Sequence, residues 1–524
     1  MADIKRDAER EELFRTIYKI ATDLVHAGHV SEWDFKSYVL GTMFYRYISE
    51  NFTAYINAGE HEAGNTDFDY TKMSDADAEM AREGLIQEKG FFILPSELFC
   101  NVRARADKDE NLNETLERVF RHIEESASSG DAENDFAGLF DDFDVNSKSI
   151  GETVAKRNKV LAELLNGVAQ MPLFATEGIN PDLFGDAYEY LMGMYAANAG
   201  KKGGQYFTPA DVSELLARLG TIGKTRINKA YDPACGSGSL LLKVEKVLGK
   251  ENVERGFYGQ EIDLTTYNLC RINMFLHNIE FDKFNIVRED TLLSPMHWDD
   301  QPFELIVSNP PFSVPWDGDK YPLLINAPRF SPAGVLAPAS KGDMAFIMHS
   351  LSWLANNGAA AIVCFPGIMY RSGAEQKIRK YLVDNNYVDA IIQLPSNLFL
   401  NVTISVDIMV LRKNKTDNSI MFVDASRECV KGTKNNRLTP ENITNIVSAV
   451  AERKDISHFC RLVPNAEVGS KENAYNLSVS TYVEAEDTRE KVDIKALNAE
   501  IAEIVAREAV LRAEIDKIIA EIEG

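Results

Sequence analysis

The sequence predicts an α/β fold around an open, largely parallel β-sheet, with helical segments added outside it. Short apolar runs rich in β-branched residues alternate with helical segments between residues 230 and 411. Several of these runs end in a glycine loop or a polar residue, which is where open sheets of this class bind ligands. With 524 residues, the chain is also long enough for two or three domains.

The first element is a glycine loop at residues 232–239, between a predicted strand and a predicted helix. Gly236 and Gly238 let the backbone approach a ligand closely, and the helix that follows presents unpaired N–H groups. The loop lacks the Gly-Lys-Ser/Thr of phosphate loops and opens with Asp232, which suits a cationic ligand better than a polyphosphate. The sulfonium compound S-adenosylmethionine fits this preference. The alternative interpretation is a tight turn that binds nothing.

The second and third predicted strands end in carboxylates. Glu261 closes the strand at 256–263 and could accept hydrogen bonds from both ribose hydroxyls of a nucleotide. Asp263 is better placed to cap the helix predicted over 264–277. Asp290 follows the strand at 285–289 and could accept from an adenine amino group. For Glu261 and Asp290, a solvated surface carboxylate is the alternative.

The fourth predicted strand, 303–308, leads into Asn309-Pro310-Pro311-Phe312. An amino nitrogen on a nucleic-acid base is a poor nucleophile, because its lone pair is delocalised into the ring. The Asn309 side-chain carbonyl and the Pro310 backbone carbonyl can accept its two hydrogens, and Phe312 offers a face for an extruded base. The two prolines stiffen the backbone that carries these acceptors. Taken alone, the tetrapeptide could be only a turn.

The joint order of these elements resembles that of amino-methylating DNA methyltransferases. Within that group the chain is similar, over nearly its whole length, to the modification subunits of type I restriction–modification systems. The resemblance implies an N-terminal α-helical domain at 1–165, a Rossmann-like S-adenosylmethionine-dependent methyltransferase domain at 166–480 and a C-terminal helical tail at 481–524. Further similar stretches lie at residues 24–28, 35–48, 90–95, 182–191, 204–209 and 474–483.

The resemblance implies transfer of a methyl group to adenine N6 in DNA. A hydroxyl at Thr208 can meet a carboxylate, whereas Tyr206 and Phe207 could equally be core aromatics. Similar tetrapeptides also serve cytosine N4 and protein glutamine, and a catalytically idle assembly scaffold is a further alternative. The predicted catalytic residues are Asn309, Pro310, Pro311 and Phe312. The predicted cofactor-binding residues are Gln205, Tyr206, Phe207, Thr208, Pro209, Ala210, Asp232, Gly236, Ser237, Gly238, Ser239, Glu261 and Asp290.

Two later segments are candidates for the neighbourhood of the target base. Residues 313–341 are rich in proline, glycine and alanine, and we expect them to border the base and to become ordered on DNA binding. Strands are predicted at 388–395 and 405–411. Phe399, between them, could supply a second stacking face, although packing in the core is favoured.

The charge balance predicts that other subunits share the work of binding DNA. The net charge is −24 and the isoelectric point is about 4.9, whereas non-specific affinity for DNA comes from Lys and Arg. The acidic segment 124–144 contributes locally, as a solvated loop or linker or as an exposed helix face. In the family that this chain resembles, a separate specificity subunit reads DNA, two modification subunits flank it, and a restriction subunit can join.

The C-terminal residues predict a narrow coiled-coil seam, with Glu508 at the one polar position. The pattern leaves open whether the seam packs on its own domain, on a second copy or on a different protein. Packing on another chain is favoured, and the resemblance implies the specificity subunit. The apolar positions are Ile494, Leu497, Ile501, Ile504, Leu511, Ile515, Ile518 and Ile522.

Composition predicts a cytoplasmic protein without a structural metal. The six cysteines show neither Cys-x-x-Cys spacing nor the density of a disulfide scaffold. The polar start of the sequence predicts no signal peptide, and no apolar run is long enough to span a bilayer. The histidines form no ligand cluster, and methyl transfer from a sulfonium needs no metal.

Overall fold

The structure of the protein is a computed structural model that describes most of the chain in two compact units, Met1–Val483 and Glu484–Gly524. The described residues are 11–20, 22, 34–127, 136–171, 174–175, 178–179, 185, 187–188, 190–192, 208–432, 434–485 and 494–524.

The amino-terminal part of the first unit is helical, as the sequence resemblance implies. Its core is aromatic: the Tyr45 ring meets Phe99 and Phe120 edge to face, and its hydroxyl donates to the Glu97 carbonyl oxygen at 2.5 Å. The α-helices here are Asp34–Glu62, Asp75–Glu79, Arg82–Lys89, Phe99–Ala106, Leu112–Ala127 and Val154–Ala169.

The acidic segment splits between a helix and a packed connection. Its first residues complete the helix Leu112–Ala127, while Phe136 and Phe140 farther along are buried. The Asp142 carboxylate accepts from Thr265 Oγ1 at 3.0 Å and from Asn268 Nδ2 at 3.2 Å. The described residues 136–144 are therefore neither a solvated linker nor an exposed helix face, because they fasten the helical part to the α/β part.

A nine-stranded mixed sheet forms the centre of the α/β part, in the order β3-β2-β1-β4-β5-β7-β6-β8-β9. Strands β1 to β5 run parallel to one another, and β6 is parallel to β8. Strand β7 is antiparallel to both β5 and β6, and β9 is antiparallel to β8. The strands are β1 (Ala230–Asp232), β2 (Phe257–Glu261), β3 (Phe284–Arg288), β4 (Phe303–Ser308), β5 (Leu354–Cys364), β6 (Val388–Gln393), β7 (Asp407–Arg412), β8 (Ser419–Asp424) and β9 (Cys460–Pro464).

The parallel strands bring the predicted site segments to one edge of the sheet. Strands β1, β2, β3 and β4 all end there, and each is followed by one of the polar segments identified in the sequence. Asp263 caps the next helix, with Oδ1 accepting from the Thr266 N–H at 2.9 Å. The helices of this part are Ala210–Gly220, Ser239–Leu248, Leu264–Leu276, Asp343–Trp353, Ala374–Asp384, Pro440–Glu452 and Asn465–Val468.

The second unit contains the helix Ile494–Glu523, which agrees with the predicted helical tail. All of its residues are exposed within this unit, including the apolar seam from Ile494 to Ile522. In the described part of the chain, every helix is too short or too polar to cross a membrane.

Candidate active site

A cleft of about 290 Å³ opens at the carboxyl ends of β1 to β4. Five of the predicted site residues line it: Gly236, Glu261, Asp290, Asn309 and Pro311. The remaining walls come from neighbouring residues on the same loops and from the segment after the tetrapeptide, including Ile262, Leu292, Val314, Pro315, Trp316 and Phe346.

Glu261 is held at the end of β2 by backbone N–H groups. Its Oε2 accepts from Gly236 at 3.0 Å, and its Oε1 accepts from Ile262 at 2.9 Å and Asp263 at 3.0 Å. Burial raises the pKa of Glu261, while these N–H groups oppose that rise. Oε1 accepts two N–H groups and Oε2 accepts one, so Oε2 keeps a lone pair that can accept from a ligand hydroxyl.

The rest of the glycine loop packs inward rather than towards the cleft. Gly238 has φ +78°, and a Cβ there would lie 2.8 Å from Cys270 Sγ and 2.9 Å from Met274 Cε. Ser237 is buried, and its carbonyl oxygen accepts from Asn273 Nδ2 at 2.8 Å. Residues 237–239 therefore fix the loop on the helix Leu264–Leu276, and the approach to a ligand falls to Gly236.

Asp290 is fixed in the same manner at the turn after β3. Its Oδ1 accepts from the N–H groups of Leu292 at 2.8 Å and Leu293 at 3.1 Å. Gln260, whose side chain the sequence analysis did not single out, braces this turn: its Nε2 donates to the carbonyl oxygens of Glu289 at 3.1 Å and Ser294 at 2.9 Å. The only local signal for Gln260 was a polar residue inside an apolar strand.

Asn309 carries the most distinctive polar atom of the cleft. Its Nδ2 donates to Thr208 Oγ1 at 3.0 Å, which fixes the plane of the amide. Its Oδ1 is buried and has no hydrogen-bond partner among the described residues. A buried acceptor without a donor costs free energy, so this oxygen is suited to a donor that a ligand brings.

Asp232 lies beneath the cleft instead of lining it. The side chain is fully buried, and its Oδ1 accepts from Ser308 Oγ at 2.8 Å and from the Ala234 N–H at 3.0 Å. Burial raises the pKa of Asp232 to about 7. This carboxyl joins the glycine loop to the last residue of β4, immediately before Asn309.

Aromatic side chains surround the other end of the tetrapeptide. Phe312 is half-buried, and its ring centroid lies 6.4 Å from that of Phe365 at an interplanar angle of 54°. The N–H of Ser313, whose φ is +51°, donates to both carboxylate oxygens of Asp343 at 3.1 Å, which holds the exit of the tetrapeptide. Phe399 is 2% exposed and belongs to the hydrophobic core, which confirms the favoured interpretation.

The segment 313–341 borders the cleft and packs against the loops at the strand ends. The Trp316 N–H donates to the Ala339 carbonyl oxygen at 2.9 Å, and the Trp316 ring is buried. Arg329 is buried as well, and it donates to the carbonyl oxygens of Thr291 at 2.9 Å and Leu292 at 2.8 Å. These contacts hold the segment beside the cleft, and its ordering on DNA binding stays a prediction.

Of the predicted residues at 205–210, the structure describes those from Thr208 onward. Thr208 is 8% exposed, and Pro209 caps the helix Ala210–Gly220 that follows it. Gln205, Tyr206 and Phe207 lie outside the described residues.

Comparison with known proteins places the chain in a family. Residues 179–491 match the N-6 DNA Methylase family, and residues 13–168 match the HsdM N-terminal domain. The chain is 47% identical to the type I restriction enzyme MpnII methylase subunit of Mycoplasma pneumoniae, with 99% of this chain and 97% of that protein covered. The chain belongs to the N-6 DNA methylase family. It is an adenine-specific DNA methyltransferase of the kind found as methylase subunits of type I restriction enzymes.

Other relatives of this methylase agree. It is 30% identical to the MjaVII methylase subunit of Methanocaldococcus jannaschii, over 80% of this chain and 73% of that protein. The crystal structure of a type I restriction–modification methyltransferase subunit from Streptococcus thermophilus matches with a TM-score of 0.81 and 31% identity, covering 91% of this chain and 100% of that chain. The family as a whole implies use of S-adenosylmethionine.

The residues of the cleft fit such a cofactor. Two carboxylates on adjacent strand ends face a nucleoside-sized space, and Gly236, with φ +54°, lies in the loop after β1 next to Glu261. Apolar side chains from Ile262 and Leu292 supply surface for a flat ring. These groups are acidic and include no phosphate loop, so they suit a nucleoside that carries a positive charge.

Proposed function

We propose that this methylase transfers the methyl group of S-adenosylmethionine to adenine N6 in DNA, within a complex that other subunits complete. The observation that carries the assignment of the site is Asn309, whose buried Oδ1 has no partner in the described part of the chain although Nδ2 is anchored on Thr208. An exocyclic amino group is the donor that this oxygen requires.

The cofactor would be held by the carboxyl ends of β2 and β3. Glu261 would accept from the ribose hydroxyls, Asp290 from the adenine amino group, and Gly236 would allow close approach of the backbone. When bound, the cofactor supplies a methyl group activated by the positive sulfur. The sequence resemblance also implies cofactor roles for residues 205–210, of which Thr208 lies beside Asn309.

The chain's own contribution to the reaction is positioning and electrostatics. The Asn309 Oδ1 and the Pro310 carbonyl oxygen would accept the two amino hydrogens, which returns electron density to the nitrogen. Phe312 would hold the extruded base by stacking on it. Asp343 and Asp232 position the tetrapeptide from either end. Asp343 accepts from the Ser313 N–H, and Asp232 accepts from the Ser308 hydroxyl. As the bond from the amino nitrogen to the methyl carbon forms, the carbon–sulfur bond would break and its electron pair would stay on sulfur. The methylated nitrogen would then be cationic and acidic and would release one proton to solvent, so no side chain has to act as a strong base.

A specificity subunit, a second copy of this chain and, in some assemblies, a restriction subunit are the proposed partners. The net charge of −24 supports this, because a chain so acidic gains little from non-specific attraction to DNA. The helix Ile494–Glu523 supports it too, since its apolar seam is exposed within its own unit.

The decisive experiment is to incubate the purified complex with labelled S-adenosylmethionine and DNA, digest the product to nucleosides and analyse these by mass spectrometry. We expect N6-methyladenine. N4-methylcytosine would assign the site to the other exocyclic amine, label in a glutamine peptide would make the substrate a protein, and no incorporation by the intact complex would indicate an idle scaffold.

Assembly through the seam is testable on the same complex. The double substitution Ile504→Asp and Leu511→Asp should remove the partner subunit in size-exclusion chromatography, because two seam positions become charged. The double substitution Ala506→Asp and Ala513→Asp, on the helix face opposite the seam, is the matched control and should retain the partner. Retention of the partner by the double variant would disprove the seam as the contact.

A further inference from the structure

The turn after β5 lies beside the catalytic tetrapeptide. Strands β4 and β5 pair in parallel, with Ser308 opposite Ile362, so the residues that follow both strands emerge next to each other. Phe365 meets Phe312 across this gap, at 6.4 Å between ring centroids. The guanidinium carbon of Arg371 lies 5.0 Å from the Phe365 ring centroid, a cation–π contact.

The turn holds this guanidinium in place. Ile368 and Met369 are fully buried, and the Arg371 N–H donates to the Gly367 carbonyl oxygen at 3.0 Å. Arg379, itself buried, donates to the carbonyl oxygens of Ile368 and Arg371 at 2.7 Å each. The backbone from 366 to 371 is therefore braced from the helix Ala374–Asp384.

The guanidinium itself is only partly used. Arg371 Nη1 donates to Glu375 Oε1 at 3.4 Å, a long contact, while Nε and Nη2 have no acceptor among the described residues. The side chain is 24% exposed. A partly exposed cation beside an aromatic ring, with two donor nitrogens that have no acceptor among the described residues, matches one oxygen-rich anion.

We propose that Arg371 binds a backbone phosphate of the DNA strand next to the extruded adenine. This inference rests on the proposed function, because the phosphate arrives with the base that stacks on Phe312. Phe365 contacts both the Phe312 ring and the Arg371 guanidinium, so it fixes the position of the guanidinium relative to that ring. In a chain with a net charge of −24, one fixed cation at this place orients the strand and adds to the affinity that partner subunits supply.

The test is the salt dependence of DNA binding by the assembled complex, measured with a duplex that the wild-type complex methylates. Loss of one phosphate contact lowers the slope of log Kd against log salt concentration by about 0.9. Because Arg371→Met alone would leave the buried Glu375 without its cation, the variant is made as Arg371→Met with Glu375→Gln. Glu375→Gln alone is the matched control and should keep the wild-type slope.

Two further variants separate charge from packing. Arg371→Lys should recover most of the slope, since a lysine still neutralises one phosphate. Gly367→Ala should reduce the slope with the arginine still present, because a Cβ there would lie 2.4 Å from Arg371 Nη2 and displace the guanidinium. Arg226→Met, ahead of β1 at the opposite edge of the sheet, should change nothing.

The outcomes are distinct. A double variant with the wild-type slope in a complex that still methylates DNA overturns this inference alone. A wild-type complex that transfers no methyl group overturns the proposed function and this inference with it. A smaller slope accompanied by an unchanged affinity for S-adenosylmethionine supports the phosphate contact.

Discussion

The proposed cofactor side of the cleft, at Glu261 and Asp290, and the proposed target-base side, at Asn309, differ in how their polar groups are satisfied. On the cofactor side, Glu261 and Asp290 accept five backbone N–H groups between them. On the base side, Asn309 Oδ1 is buried without a partner in the described part of the chain. The carboxylates of Glu261 and Asp290 are stabilised without a ligand. The Asn309 Oδ1 is desolvated without a hydrogen bond, which costs free energy until a ligand supplies a donor. The carboxylates of the proposed cofactor side are therefore positioned before a ligand binds, whereas the Asn309 acceptor is satisfied only when a ligand brings a donor.

The largest expected effect comes from Asn309→Ala. Removing the acceptor should lower kcat for methyl transfer by roughly 10²- to 10³-fold, by analogy with loss of one preorganised group at a reacting centre. Binding of S-adenosylmethionine, measured by calorimetry, should stay nearly unchanged. Thr208→Val is the graded comparison: it removes the hydrogen bond to Asn309 Nδ2 but leaves the Asn309 acceptor in place, so it should retain more activity than Asn309→Ala. Equal losses of binding and transfer in Asn309→Ala would remove the distinction between the two sides.

Glu261→Gln tests the other side. An amide would turn an NH₂ group towards one of the three N–H groups that the carboxylate accepts, and it would lose charge-assisted bonds to ribose. We expect the Kd for S-adenosylmethionine to rise about 10- to 100-fold, with kcat at saturating cofactor little altered. Glu289→Gln is the control, since its carboxylate accepts one N–H, from Asp290. A fall in kcat without a change in Kd would contradict the assignment.

The smallest effect concerns Asp232, which joins the two sides. Because its pKa in the folded protein, about 7, lies above the ordinary value for Asp, this carboxyl stabilises the fold most at low pH, and that stabilisation is lost as the pH rises towards 7. Asp232→Asn does not ionise, so its Tm relative to wild type should rise by a few degrees between pH 5 and pH 8. A difference that is constant over this range would mean that Asp232 stays in one protonation state.

Local patterns predicted the elements of the site, and long-range contacts had to come from the structure. Strand β4 coincides with the predicted run, because buried parallel strands are continuous apolar segments that a sequence displays directly. The bond from Asn309 to Thr208 joins residues 101 positions apart, and that from Ser308 to Asp232 joins residues 76 apart. No periodicity carries such information.

The segment 313–341 is a second case in which the sequence did not reveal long-range contacts. Its composition indicated a loop, but the burial of Arg329 depends on carbonyl oxygens of Thr291 and Leu292 that lie outside the segment. The composition of the segment does not indicate that Arg329 lies close to two such acceptors. The same applies to Asp343, which accepts the Ser313 N–H from the start of the helix that follows the segment, 30 positions along the chain.

The packed connection at 136–144 sets the size of the smallest active fragment. The helix Leu264–Leu276 supports the glycine loop on one side through Cys270 and Met274, and on the other side its Asn268 and Arg271 bond to Asp142 and to the Ala137 carbonyl oxygen. Cutting the chain near residue 165 would remove residues that pack on one face of that helix. The Arg271 guanidinium and the Phe275 ring would then lose contacts that bury them. A fragment that still grips the nucleoside would therefore have to begin before residue 136.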